Sequence, residues 1–428
     1  MQITIVGTGF VGVVTAAVFA KFGNTVWGLN TDKEKTSILN QGKIPFYEPN
    51  LEELVNENLK AKRLKFTTNY KQAIPNAEII FICVGTPSAP NGQADLKYLY
   101  AVADSIAPLI KNGTIIVIKS TVPPSTNTKI EQIIKKKTKT KFFTAAIPEF
   151  LKEGSAVSDA MSPERVIIGT LNKAVADKLL DLHKPLGGKK ITMNPESAQM
   201  TKYAANAYLA ARIGFINEIA NLCEKTGADI EEVIVGLGAD KRIGSHYWYP
   251  GPGYGGSCYP KDVKELSALA SGLGEGDGLF EKIDRLNETR IPRLVEKYKK
   301  FSEGFKGKKI AILGLSFKPN TDDLREAPST KFIPPLLKLG ATITAYDPRA
   351  MKAAKQRFGT SISYAKDAYD AVTGADVLLL LIEWDEFKQL NLKRVRQVMR
   401  GNVFIDTRNL YDPGKVKRHE FRYIGIGR

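Results

Sequence analysis

The chain is poor in cysteine and in histidine, with three of each among 428 residues. Cys83, Cys223 and Cys258 are odd in number and widely separated. That argues against a disulfide framework and for a reducing, cytoplasmic setting. His183, His246 and His419 form no spaced cluster with them, so no metal site is expected. Long apolar runs are missing too. None approaches the roughly 20 residues of a membrane span, so no membrane partner is expected. Met1-Gln2-Ile3-Thr4-Ile5-Val6 reads as a strand, with neither a basic leader nor a cleavage site.

Acidic residues are in deficit, 45 against 62 basic ones, for a net charge of +17. Such an excess fits either a nucleic-acid binder or a solvated lysine-rich surface with a few cations kept for a small anion. The densest run, Lys135-Lys136-Lys137-Thr138-Lys139-Thr140-Lys141, has no interleaved aromatic and leads into a strand. The second reading is therefore preferred, and no nucleic-acid partner is expected. Hydrophobic content of 43% and charged content of 25% describe a soluble globular protein. A chain of 428 residues exceeds one ordinary core, so two or three domains are expected.

What is present starts at once. The strand Ile3–Val6 runs into Gly7-Thr8-Gly9-Phe10-Val11-Gly12, and an apolar helix follows to Gly23. Strand, G-x-G-x-x-G and helix stand in the order a dinucleotide site requires. Gly7 makes the tight turn, Gly9 admits a pyrophosphate at the helix N-terminus, and Gly12 lets helix and strand pack closely. Strands are expected at Thr25–Leu29, Ile79–Val84, Ile115–Lys119 and Phe142–Ala146. The last three lead into Gly85-Thr86-Pro87, Ser120-Thr121-Val122-Pro123 and Pro148-Glu149-Phe150-Leu151-Lys152-Glu153. In an open parallel sheet such loops border one crevice, so Thr86, Thr121, Glu149 and Glu153 are expected there. The plainer alternative is that the threonines cap the next helices. Pro123 and Pro124 weaken that alternative for Thr121.

From Pro195 to about Thr226 the pattern is one long helix, with Met200, Tyr203, Ala207, Ala211, Ile216, Ile219 and Cys223 as its apolar stripe. Lys202 and Asn206, four apart, share a face. A further helix is expected over Asp229–Leu237, and more helix from Asp262 to about Lys300. Between these lies Gly255-Gly256-Ser257-Cys258-Tyr259-Pro260-Lys261-Asp262. Cys258 is the candidate nucleophile there, with the Lys261 ammonium favouring its thiolate and Asp262 as base or water-orienting group. The alternative is a surface turn with an inert, packed cysteine. Phe301–Lys308 reads as a polar linker. A second α/β unit follows, with strands at Lys309–Leu313, Thr342–Tyr346, Val377–Leu381 and Val403–Ile405.

These segments, in this order, resemble the UDP-glucose/GDP-mannose dehydrogenase family of nucleotide-sugar 6-dehydrogenases, and its UDP-glucose branch most. The similarity rests on the glycine loop, Thr86-Pro87, Ser120–Pro123, Pro148–Leu151, Lys202 with Asn206, Gly255–Asp262, and Phe317-Lys318-Pro319-Asn320-Thr321-Asp322-Asp323-Leu324-Arg325. Asp240-Lys241-Arg242-Ile243-Gly244 points to the UDP-glucose branch.

The resemblance implies two Rossmann-like parallel-sheet domains joined by a long-helix dimerisation region: residues 1–194 for NAD, 195–300 carrying the catalytic cysteine, and 301–428 for the UDP-sugar. It implies a four-electron oxidation of UDP-glucose to UDP-glucuronate with two NAD, through a thiohemiacetal and a thioester on Cys258. Lys202 would stabilise the oxyanion. Thr121, Asn206 and Asp262 would hold the water, and Glu149 would serve as acid or base. Implied cofactor contacts are Gly7, Gly9, Val11, Gly12, Lys35, Thr86, Thr121, Glu153, Lys261 and Arg325. Asn30 stands where an acidic residue usually meets the adenosine ribose. Implied substrate contacts are Glu149, Phe150, Leu151, Lys152, Glu153, Lys202, Asn206, Tyr247, Trp248, Tyr249, Pro250, Gly251, Gly255, Lys318 and Arg408. Arg242 would complete the site of a homodimer partner. The alternatives are the same chemistry on GDP-mannose or a UDP-N-acetylhexosamine, and a non-catalytic nucleotide-binding protein.

Overall fold

The computed structural model describes residues Met1–Arg428. Two compact units divide the chain, Met1–Ala205 and Asn206–Arg428.

The first unit holds β1 (Gln2–Val6), β2 (Thr25–Leu29), β3 (Leu64–Thr67), β4 (Ile79–Ile82), β5 (Thr114–Ile118), β6 (Phe142–Ala146), β7 (Arg165–Gly169) and β8 (Lys189–Met193). Their order in the sheet is β3-β2-β1-β4-β5-β6-β7-β8. All pairings are parallel except β6 with β7. The near-continuous apolar sequence of the central strands follows from burial on both faces. On β4, Ile79 and Phe81 pack with Val13, Val14 and Ala17 of the first helix. Ile80 and Ile82 pack on the opposite side with Leu99, Val102, Ile130 and Ile134. Strand order reverses between β1 and β4, which opens a ligand crevice beyond their carboxyl ends.

The second unit holds β9 (Lys309–Leu313), β10 (Thr342–Tyr346), β11 (Ser363–Tyr364), β12 (Val377–Leu380), β13 (Val403–Asp406) and β14 (Arg422–Ile424). This sheet is wholly parallel, in the order β11-β10-β9-β12-β13-β14, with its own reversal between β9 and β12. Each unit is therefore a Rossmann-like parallel-sheet fold.

Helix Pro195–Thr226 is unbroken and carries the division between the units. Tyr203, Ala207, Ile216 and Cys223 are buried along it, as the stripe required. Met200 is not: it is 37% exposed, because the inward positions of that turn are Ala198 and Gln199. Gln199 is held there by a 2.6 Å bond from its amide nitrogen to Asn127. The next helix, Ile230–Ala239, starts on Asp229, whose side chain accepts the Glu231 N–H. Helices Tyr259–Gly272 and Leu279–Phe301 follow. The segment after Phe301 differs from a free polar linker, because Phe305 is buried in the second core. No helix is long and apolar enough to cross a membrane.

Candidate active site

In the first unit, the three glycines of the first loop do different work. Gly7 has φ +96°, and a Cβ there would stand 2.7 Å from the Cys83 carbonyl oxygen. A Cβ on Gly12 would run into the Gly7 carbonyl oxygen. Gly9 is the N-cap of helix Phe10–Lys21, yet nothing lies within 4 Å of where its Cβ would be. Two glycines thus permit internal packing, while the third leaves open space at a positive helix end. That is the shape and polarity a pyrophosphate needs. Beside this loop, Asn30 Nδ2 donates to Thr8 Oγ1 at 2.7 Å, and its Oδ1 accepts the Thr31 N–H at 2.8 Å. Asp32 accepts the Lys35 N–H at 2.9 Å and so caps the second helix. Burial lowers the Lys35 ammonium's pKa, with Asp32 opposing. On the neighbouring loops, the Thr86 hydroxyl donates to the Thr121 carbonyl at 2.8 Å. These two predicted cofactor contacts are therefore tied together.

Beyond β6, Glu149 Oε1 meets Lys202 Nζ at 3.1 Å, both side chains being buried. Glu149 Oε2 accepts the Leu151 N–H at 2.5 Å. The Phe150 ring lies between cations, 5.3 Å from Lys202 Nζ and 4.2 Å from the Arg165 guanidinium. Lys152 holds Asp159 through its backbone N–H and its ammonium.

Two residues here were missed at the sequence level. Lys119, the residue before Ser120-Thr121, is coupled electrostatically to Glu149 and Lys202. Burial depresses its pKa most, Cys83 and Glu149 oppose, and Lys202 adds to the depression. Glu48 is buried and accepts the N–H groups of Gly154 (2.6 Å) and Ala156 (2.7 Å), clamping the loop that starts at Glu149. A signal for Lys119 was available, a cation at the carboxyl end of a central strand. Glu48 gave none, because its partners are more than a hundred residues away. Cys83 is no second nucleophile: burial pushes its thiol up to about 12.

In the second unit, Cys258 is the N-cap of helix Tyr259–Gly272, with Pro260 in the first turn, where a missing N–H costs nothing. Its sulfur is half-buried and lies 3.6 Å from Ser257 Oγ. A thiolate at a helix N-terminus is favoured by the unpaired N–H groups there. One turn on, Asp262 Oδ2 accepts from Asn206 Nδ2 at 2.5 Å. Lys261 Nζ sits 2.7 Å from Asp262 and 3.1 Å from Glu265. Burial works against the Lys261 charge, but the two carboxylates outweigh it and raise its pKa. Lys261 thus neutralises a buried acidic pair, and the helix end is the source of thiolate stabilisation that the geometry supplies. Gly256, at φ +80°, donates its N–H to the Arg325 carbonyl at 2.9 Å, and a Cβ there would meet the Phe317 ring at 2.7 Å. A Cβ on Gly255 would collide with the Glu326 carbonyl. The Phe317–Arg325 motif therefore packs directly on the cysteine loop.

Lys318 follows β9 and Arg408 follows β13, both beyond carboxyl ends of the second sheet. Arg408 Nε donates to Leu381 O at 2.8 Å and pairs with Glu383 at 3.1 Å. Its guanidinium lies against Gly251, where a Cβ would approach Nη1 to 3.4 Å. Gly251 is pinned by Asn217 and Arg290. Pro250 is buried, Trp248 is stacked under Arg212 at 3.7 Å, and Tyr249 is 57% exposed. Arg325 is paired with Asp323 at 2.7 Å. Arg242 stands apart from this cluster, with its side chain 89% exposed and only the neighbouring Asp240 as ion-pair partner.

Each domain of one family matches this chain in the same order. The NAD-binding domain matches residues 1–187, the central domain 196–289 and the UDP-binding domain 311–413. The chain belongs to the UDP-glucose/GDP-mannose dehydrogenase family. It is 40% identical to the UDP-glucose 6-dehydrogenase of Pseudomonas aeruginosa, over all of this chain and 98% of that one. It is 41% identical to the UDP-glucose 6-dehydrogenase TuaD of Bacillus subtilis, over all of this chain and 93% of its relative. Among solved structures, a UDP-glucose dehydrogenase from the archaeon Pyrobaculum islandicum superposes with a TM-score of 0.92 at 34% identity, covering 99% of this chain and 97% of the other. NAD is the cofactor of this dehydrogenase, and the open space at Gly9 over a helix N-terminus fits its pyrophosphate.

Proposed function

We propose that this dehydrogenase oxidises the primary alcohol of UDP-glucose to the carboxylate of UDP-glucuronate, and does so in the cytoplasm. NAD, when bound, accepts the electrons of both oxidations. The observation that carries the reading is Cys258 at the positive end of an uninterrupted helix, one turn from an Asp262 carboxylate fixed by Asn206. A thiolate there adds to the carbonyl carbon of the aldehyde and forms a thiohemiacetal. Oxidation of that adduct leaves a thioester, and water releases the acid and returns the thiol. Lys202 is the cation assigned to the oxyanion, and Glu149 receives or returns the proton beside it. Asn206 and Asp262 hold the attacking water, assisted by Thr121. Lys318 and Arg408 offer cations to the diphosphate, and residues 149–153 and 247–251 hold the sugar and base.

The test is NADH formed per sugar consumed, measured with UDP-glucose, GDP-mannose and UDP-N-acetylhexosamines. A ratio of two with UDP-glucose, abolished by Cys258→Ser while UDP-sugar binding persists, is the expected outcome. Wild-type turnover by Cys258→Ser removes the covalent mechanism, and a strong preference for another sugar replaces the substrate.

A homodimer is part of the proposal. Tyr208, Phe215 and Leu222 are 62%, 50% and 56% exposed at seven-residue intervals on one helix. Such an apolar stripe on a helix is commonly buried by a partner. Arg242, exposed on its loop, is assigned to the partner's site. Mixing Arg242→Ala with Cys258→Ala chains should restore activity through hybrid dimers. A mixture no more active than its parents contradicts a shared site.

A further inference from the structure

The residue directly after the nucleophile opens the helix that Cys258 caps. This chain places a tyrosine there. We propose that Tyr259 is a positioning residue, whose phenol, hydrogen-bonded to that of Tyr247, latches the 247–251 loop to the helix that begins at Cys258. The role of that loop in holding the sugar nucleotide rests on the function proposed above.

Three observations carry the assignment. The Tyr247 and Tyr259 hydroxyls are directly bonded, with ring centroids 6.4 Å apart and planes at 61°. Tyr247 has φ +70°, a left-handed backbone that a bulky side chain adopts only when its surroundings hold it there. Those surroundings are aromatic and continuous: Tyr249 packs against Tyr247 at 5.2 Å with ring planes tilted by 54°, and Tyr254 meets Tyr259 edge-on at 6.2 Å. Tyr259 is thus bonded to the strained residue through its hydroxyl and to the nucleophile through its backbone.

The electrostatics keep the bond in place during chemistry. Burial raises the Tyr259 pKa, and the neighbouring Tyr247 and Cys258 add to the rise. Burial raises that of Tyr247 too. Both phenols therefore stay protonated at neutral pH, and one always has a proton to donate. A phenolate at position 259 would repel the Cys258 thiolate, so a neutral donor is the compatible form. Loop 247–251 cannot shift without breaking a bond to the residue next to the nucleophile. Substrate therefore meets a binding loop that is already ordered, and the cost of fixing it is not charged to binding.

Tyr259→Phe removes the hydroxyl and keeps the ring, so the fold is retained. The expected result is a KM for UDP-glucose raised about fivefold, the factor for one lost neutral hydrogen bond, with kcat changed less than twofold. Tyr247→Phe should raise KM similarly, and the double variant should be no worse than either single one, because both remove the same bond. A KM for Tyr259→Phe within twofold of wild type, or single effects that multiply in the double variant, overturns the latch. The same non-additivity is expected in denaturant unfolding of the unliganded protein. That arm decides the latch even if UDP-glucose proves not to be the substrate. Independent effects of the two tyrosines on unfolding would refute it.

Discussion

Glu149→Leu should destabilise the N-terminal unit more than Lys202→Met, and combining them should recover part of the loss. The Glu149–Lys202 pair is buried at 3.1 Å, with side chains 8% and 4% exposed. Removing Glu149 leaves Lys202 without this carboxylate, takes from Lys119 one of the two groups that oppose its burial, and orphans the Leu151 N–H. Breaking a buried pair from one side costs about 3–5 kcal/mol. Removing Lys202 is milder, because Glu149 keeps the Leu151 bond and the Lys119 charge. The loss is then about 1.5–3 kcal/mol, the scale of a hydrogen bond to a charged group. With two to four degrees per kcal/mol for a unit of this size, Tm should fall by about 6–20 °C for Glu149→Leu and about 3–12 °C for Lys202→Met. The double variant exchanges a buried ion pair for an apolar one of similar volume, often a near-neutral change. The Leu151 N–H stays orphaned in it at a cost of about 1–3 kcal/mol, so it should melt about 2–12 °C below wild type and above Glu149→Leu. The assay is thermal and denaturant unfolding of the unliganded protein, where loss of activity in all three variants is irrelevant. Additive losses in the double variant, or a larger loss from Lys202→Met than from Glu149→Leu, would refute the reasoning.

Ser125 holds a left-handed φ of 71° before helix Thr126–Lys135 and makes no side-chain cap bond. Ser125→Gly should gain about 0.5 kcal/mol, the left-handed penalty less the entropy glycine adds to the unfolded chain; a lower Tm would show that the hydroxyl matters. His183, buried between Phe19 and Phe81, is held neutral, its pKa lowered by burial to about 4. The unfolded chain therefore binds more protons between about 6.5 and 4, so stability should fall by up to about 3 kcal/mol as pH drops through that window. His183→Phe should flatten that slope in urea titrations at pH 4–7, and an unchanged slope would assign it to other groups. Asn30→Asp should sharpen the preference for NAD over NADP in kcat/KM, since a carboxylate grips ribose hydroxyls and repels a 2′-phosphate. Asp32 Oδ1 accepts the Lys35 N–H, so that oxygen is engaged in capping the second helix. An unchanged ratio would mean that another group already reads the ribose.

Several features of this protein were written locally in the sequence. The glycine loop between a strand and a helix, the long apolar stripe and the Cys258–Asp262 turn depend on spacing within a few residues, so periodicity and turn chemistry suffice to read them. Lys202 and Asn206 were legible for the same reason, since one helical turn separates them.

Tertiary structure decided what those residues do to one another. Glu149 had to be carried to the end of β6 before it met Lys202, 53 positions on. Lys261, adjacent in sequence to the thiol's helix turn, proved to be balanced by Asp262 and Glu265: helical geometry brings Glu265 alongside at i+4, and the same ammonium reaches back to the neighbouring Asp262. The clamp from Glu48 to residues 154–156 and the bond between Tyr247 and Tyr259 join segments that no local pattern connects. Met200 left its stripe because Gln199 had a buried partner in Asn127. Local sequence determines which backbone forms and which face is apolar; the pairing of charges and hydroxyls waits for the chain to bring distant segments into contact, where desolvation makes each pairing count.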